Sequence, residues 1–189
     1  MSDMNQPQQK AKKMMLWVGM ISMTMTFAGL TSAYVVSSAR VDWLKDFQMP
    51  SIFGVSTIII VLSSLLYHLA QKAIQKDQIP QAKGFILGTL VLAISFIFTQ
   101  FQGFNQIIDS GYYFTGPQSS ITTSYLYVLV LLHLFHLAAG IIVLGVSYFR
   151  VHTGRYGADR YLGMELSVLF WHFLDFLWVY LYAFVMLYG

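Results

Sequence analysis

The sequence predicts an all-α membrane protein: a polytopic transmembrane bundle of five helices, N-terminus cytoplasmic, C-terminus on the opposite, periplasmic face. Three observations carry this. Of 189 residues, 57% are hydrophobic and only 10% charged, against roughly half and a quarter in a soluble domain. The apolar residues fall in long uninterrupted blocks, each near the roughly 20 residues that cross a bilayer core. Lys and Arg gather in alternate connections, the bias that marks the cytoplasmic side.

Residues 1–13 are polar, end in Lys10, Lys12 and Lys13, and read as a flexible cytoplasmic tail. A basic tail before an apolar run also suits a signal peptide, and Ser37-Ser38-Ala39 resembles a cleavage site. The run 14–38 is much longer than a signal core of about 7–15 residues, so an uncleaved first span is expected. Spans two to five are placed at about 51–70, 84–107, 121–148 and 165–188, and 14–189 forms one transmembrane domain. The prolines, Pro7, Pro50, Pro80 and Pro117, lie outside or at the edges of these spans, as residues that break helix interiors should. A backbone in lipid must satisfy its own hydrogen bonds, so the runs are expected to be helices; they lack the two-residue alternation of barrel strands.

Orientation follows from the cations. The tail, the second connection (Lys72, Lys76, Lys83) and the fourth (Arg150, Arg155, Arg160) are basic. The first holds only Arg40 and Lys45, and the third none. The net charge of +3 therefore reads as topology rather than nucleic-acid binding. The absence of cysteine excludes iron–sulfur clusters, thiolate-ligated haem and a thiolate copper centre from this chain.

Ionisable residues inside spans are costly and point to function. Five stand out: His133 and His136 in span four, and Glu165, His172 and Asp175 in span five. At 100° per residue the last three fall within an arc of about 80°. His133, His136 and Gly140 form a second stripe, on which glycine admits a close neighbour. The reading adopted is a structural polar seam, spans four and five packed together with histidines and carboxylates hydrogen-bonded across. No Glu-x-x-His pair suited to a di-iron site occurs, and His133 and His136 share a helix face, the wrong placement for clamping one haem between them; His172 with either histidine as haem ligands, and a copper site of two or three histidines, stay open as alternatives. No catalytic, cofactor-binding or metal-ligating residue is assigned. Gly84-x-x-x-Gly88, the Met-rich face of span one, and Trp171 and Trp178, seven apart, read as packing. Trp17 and Trp43 suit membrane edges, and His68 and His152 a solvated cytoplasmic side.

The last span carries a resemblance. Gly163-Met164-Glu165, then Trp171-His172-Phe173-Leu174-Asp175-Phe176-Leu177-Trp178, and an aromatic end with Tyr180 and Tyr182, are similar to the terminal-helix signature of subunit III of the haem-copper terminal oxidases. His133-x-x-His136-x-x-x-Gly140 resembles the preceding helix of that family. Gln100 and Phe104 before Tyr112 and Tyr113, and Phe27 and Tyr34 in span one, are also similar to it. The likeness runs from about Met14 to the end, as a short, five-helix form lacking the first two helices of longer members. Two positions depart: Met23 follows Ser22 where many members carry a carboxylate, and Gly103 stands where many carry a glutamate.

The resemblance implies an accessory, cofactor-free subunit of a respiratory oxidase in a bacterial inner membrane. Haem and copper would reside in partner subunits, the electron donor being cytochrome c or quinol. The chain would contact subunit I and, in the complex, subunit II, small subunits or a larger respiratory supercomplex. It would bind phospholipid, stabilise the catalytic subunit and support proton uptake during oxygen reduction, without itself being catalytic. A histidine-ligated membrane cytochrome and a small transporter are the alternatives. Broken helices and repeats, which mark transporters, are not visible.

Overall fold

A computed structural model describes residues 6–40, 43, 49–111, 121–157 and 161–188. Lys45, Tyr112, Tyr113, Pro117 and Arg160 lie outside the described residues. Five helices follow in order: α1 (Gln6–Ser37), α2 (Ile52–Gln75), α3 (Ile79–Asp109), α4 (Ile121–His152) and α5 (Leu162–Tyr188). Each is long and apolar enough to cross a membrane, and no strand occurs among the described residues. The all-α, five-helix class stands as predicted. α1 starts at Gln6, so most of the segment read as a flexible tail continues the first helix. α4, with 32 residues, would run about 48 Å against a core of about 30 Å, and its ends reach well past the hydrocarbon.

Local chemistry sets the boundaries. Pro80 sits in the first turn of α3, where its missing N–H costs nothing. Just before it Asp77 takes a positive φ of 56°, a conformation that Asp tolerates better than most residues, and it reverses the chain between α2 and α3. In α1 the hydroxyls bond backward, Thr24 to the Met20 carbonyl at 2.9 Å and Thr26 to that of Ser22 at 3.0 Å. This satisfies them within the helix, as lipid requires.

α2 packs on α3 and α5, and α4 packs on α3 and α5, closing a four-helix ring. α1 lies outside it, against α4 and α5 only. α5 therefore touches three helices, and 56% of its apolar window is buried against 17% for α1. The core holds Trp171, Trp178, Phe53, Phe96, Tyr67 and Ile60. Lipid gives helices no hydrophobic reason to associate, so close fit and hydrogen bonds decide their packing. Gly103 illustrates the fit: a Cβ there would lie 2.5 Å from the Phe53 ring. Gly84 has nothing within 4 Å, and Gly88 meets only Leu66, so the Gly-x-x-x-Gly pair is not one tight contact. The Met-rich face of α1 likewise divides. Met20 packs with Phe170 and Leu174, while Met14, Met15 and Met25 are exposed.

Candidate functional site

The polar groups of the bundle converge on α5 from two directions. Toward α2 and α4 it presents Trp171, Trp178 and Ser167. The Trp171 indole N–H donates to Ser63 Oγ at 3.0 Å, and that of Trp178 to Thr57 Oγ1 at 3.1 Å. Ser167 meets the Tyr67 hydroxyl and accepts from Ser147 of α4 at 3.1 Å. Gln100 of α3 donates to Ser56 of α2 at 2.9 Å. Hydroxyls of α2 thus anchor the aromatic spine of α5. A search for ionisable residues passes over them, although the sequence carries a signal: Ser56 and Ser63, and Thr57 and Ser64, are each seven apart on a largely apolar helix.

The five seam residues occupy four different settings. His133 is fully buried, its ring 5.3 Å from that of Trp178 and 6.2 Å from that of Phe96. Neither ring nitrogen has a hydrogen-bond partner among the described residues. His136 turns toward α1, with its ring 5.8 Å from Phe27 and Nδ1 2.8 Å from the Leu132 carbonyl of its own helix. Glu165 pairs with Lys13 of α1 at 2.8 Å. His172 Nδ1 lies 2.5 Å from Ser64 Oγ of α2, and its ring is 5.9 Å from that of His68. Asp175 is 4% exposed. Ser64 stands beside its carboxyl without completing a hydrogen bond to either oxygen.

α4 and α5 do pack together, and Gly140 marks the closest approach: a Cβ there would sit 2.7 Å from Leu174 and 3.3 Å from Trp171. No two of the five seam residues, however, are hydrogen-bonded to each other among the described residues. The expected bonds across the seam are replaced by indole packing. His172 follows Trp171 by one residue, about 100° around the helix, so seating the tryptophans against α4 turns the carboxylate stripe away from the histidines.

At the basic end of the bundle, the starts of α1 and α5 and the end of α4 enclose a groove of about 1320 Å³. Lys12, Lys13, Arg150 and Arg155 rim it with Glu165 as the acidic member, and Met20, Met23 and Phe170 line it deeper. A cationic rim over an apolar floor suits an anionic headgroup with its acyl chain. Among the described residues no group of three His, Asp or Glu is placed to hold a metal. The rings of Phe96 and Trp178 lie beside His133, and that of Phe27 lies beside His136.

Comparison with known proteins gives a consistent result. A family model described as cytochrome c oxidase subunit III matches residues 8–189. A cytochrome bo(3) ubiquinol oxidase subunit 3 from Pseudomonas aeruginosa is 30% identical over 177 residues, covering 92% of this chain and 83% of that protein. Cytochrome c oxidase subunit 3 from Thermostichus vulcanus is 27% identical over 172 residues, covering 89% and 83%. The protein of the same name from Bacillus sp. (strain PS3) is 27% identical over 191 residues, covering 95% and 87%.

Proposed function

The chain belongs to the cytochrome c oxidase subunit III family, and on that premise we propose that it is the accessory, cofactor-free subunit of an oxygen-reducing haem-copper oxidase. It stabilises the catalytic subunit, binds phospholipid and supports proton uptake, while haem and copper sit in partner subunits I and II. The observation that carries this reading is the enclosure of His133 between Phe96 and Trp178. The most deeply placed histidine acts as a packing group and leaves no face for a haem. The basic groove supports lipid binding. The seam residues His133, His136, Glu165, His172 and Asp175 serve structure: two histidines fix α4 against its neighbours, and Glu165 ties α5 to α1.

The basic end faces the cytoplasm of a bacterial inner membrane, with the N-terminus inside and the C-terminus in the periplasm. Two contacts gather the cationic segments at one end of the bundle. Lys13 reaches Glu165, and Gly157, between α4 and α5, lies beside Asp77 of the α2–α3 turn. The electron donor, cytochrome c or quinol, is set by a partner subunit.

The test is to purify the oxidase with and without this chain and follow oxygen consumption and proton uptake over many turnovers. The preparation without it should keep its haem spectrum and initial rate, take up protons more slowly and inactivate sooner. Immediate loss of haem or of electron transfer on removal would overturn the reading.

A further inference from the structure

We propose that His68 and His172 form a two-histidine site for a Zn2+ ion, which staples α2 to α5 near the basic end of the bundle. The site goes beyond the accessory role above, and that role stands whether or not the ion binds.

His68 is exposed on α2 and His172 is half-buried on α5, and their ring centroids stand 5.9 Å apart. That is too far for a direct bond. An N–H···N contact of up to about 3.2 Å holds two ring centres no more than about 5.5 Å apart. One ion between the rings suits the gap. Zn2+ bonds an imidazole nitrogen at about 2.0–2.1 Å and so lies about 3.2 Å from the ring centre. Two rings on one ion are then about 5.2 Å apart at a tetrahedral angle and about 6.4 Å apart in line. The observed separation falls between the two.

The other nitrogen of His172 is already placed. Its Nδ1 lies 2.5 Å from Ser64 Oγ. With the proton on Nδ1, the ring donates to that hydroxyl and Nε2 keeps its lone pair for a metal. A ligating histidine ordinarily has such a partner on its second nitrogen, which fixes the tautomer and the ring orientation. His68 comes from the facing helix, and its exposure lets the ring turn toward the ion.

The face around His68 is otherwise built for lipid: Leu65, one turn before it, and Leu69, next to it, are both exposed. Packing in lipid does not call for an imidazole there, and an ionisable side chain within a span points to function. The pair is also within reach of water. His68 is one turn, about 6 Å, from Lys72 at the basic end. The lysine stem lets its ammonium extend toward the headgroups, away from the ion. Among the described residues no third His, Asp or Glu joins the pair to hold a metal. Water therefore completes the coordination, and the ion exchanges with the medium rather than staying as a resident cofactor.

The test uses the intact oxidase, washed with chelator, loaded with Zn2+ and desalted, with its zinc counted against haem. The unaltered complex should retain one zinc per chain more than the His68→Leu complex, and one more than the His172→Phe complex. His68→Leu matches its leucine neighbours on an exposed face, so it keeps the assembly intact and decides the matter if His172→Phe disturbs packing. X-ray absorption at the zinc edge should show two imidazole nitrogens at about 2.0–2.1 Å around the zinc that the variants lack. Ser64→Ala retains both ligands and should bind that zinc about 10–100-fold more weakly, as when the outer partner of a ligating histidine is removed. Equal zinc in the unaltered and His68→Leu complexes overturns the site, and so does a lost zinc that carries only one imidazole.

Discussion

The indole of Trp171 on α5 donates to the hydroxyl of Ser63 on α2 at 3.0 Å, and both residues are buried. The bond sits where α2, α4 and α5 meet, and both groups are buried there. Ser63→Ala removes the acceptor and leaves the N–H unmatched. Hydrogen bonds between transmembrane helices contribute roughly 0.6–2 kcal/mol. The variant should lose about that much stability in a denaturing-detergent titration of the complex, and Trp171→Phe, which also removes the donor, should then add little for the bond itself. Additive losses in the double variant would show that the two side chains act independently.

Gly140 and Gly145 lie on the same helix and make a matched pair. A Cβ on Gly140 would strike Leu174 and Trp171, whereas Gly145 has nothing within 4 Å. Gly140→Ala must separate α4 from α5, an overpacking cost of about 1–3 kcal/mol. Gly145→Ala should be neutral or slightly stabilising, because alanine is the better helix former. Retention of the chain through detergent washing distinguishes them, and equal retention would mean that the α4–α5 approach is looser than the geometry indicates.

These two cases show which parts of the fold were legible in the sequence. Five helices could be read because lipid permits few alternatives and the charged connections interrupt the apolar runs. Gly140 could be read as a contact because a glycine on a stripe has few other uses. What it touches was harder to read. The histidine and carboxylate stripes invited pairing, but the rotation of α5 is governed by Trp171 and Trp178, whose area and N–H groups outweigh one acid. Trp171 and Trp178 are seven apart, and the hydroxyl pairs on α2 repeat at the same interval. Matching the two repeats would have placed α2 as the main polar partner of α5, with α4 adding the Ser147–Ser167 bond. Lys13–Glu165 was beyond reach because residues 1–13 read as a tail, and only the extension of α1 back to Gln6 brings the lysine to the acid.

The isolated chain is expected to be colourless. Phe96 and Trp178 enclose His133, and His172 is engaged with Ser64. An absorption spectrum of the chain purified alone, after expression with haem available, checks this. A stoichiometric Soret band that disappears in His133→Leu would reassign the chain as a cytochrome.

Topology can be tested without background labelling because the sequence has no cysteine. Lys10→Cys and Lys76→Cys should react with an impermeant maleimide only from the cytoplasmic side, and Tyr188→Cys only from the periplasmic side. Five spans require this opposition, and reaction of Lys10→Cys and Tyr188→Cys from the same side would rule it out.

Asp175 supplies the sharpest contrast between the expected seam and the observed one. Had it been bonded across to the histidines of α4, its replacement would have stranded a buried partner at a cost of roughly 1–3 kcal/mol, and the chain would leave the complex. Among the described residues it has no bonded partner to strand. His172 keeps Ser64 whether or not the acid is present, and His136 is held by its own backbone. Asp175→Asn exchanges one unpartnered polar group for another of nearly the same shape, so stability should change by less than the roughly 1–3 kcal/mol of a stranded buried partner. The purified mutant oxidase should contain this chain in full proportion to haem, with a normal haem spectrum, whereas Trp171→Ala, which empties the centre of the core, should lose it. Quantifying the chain against haem in the two mutant complexes is sufficient. Loss of the chain from Asp175→Asn would mean that its carboxyl is bonded in the assembled oxidase to a group on another subunit, and Asp175 would then be an interface residue rather than a group buried within this chain alone.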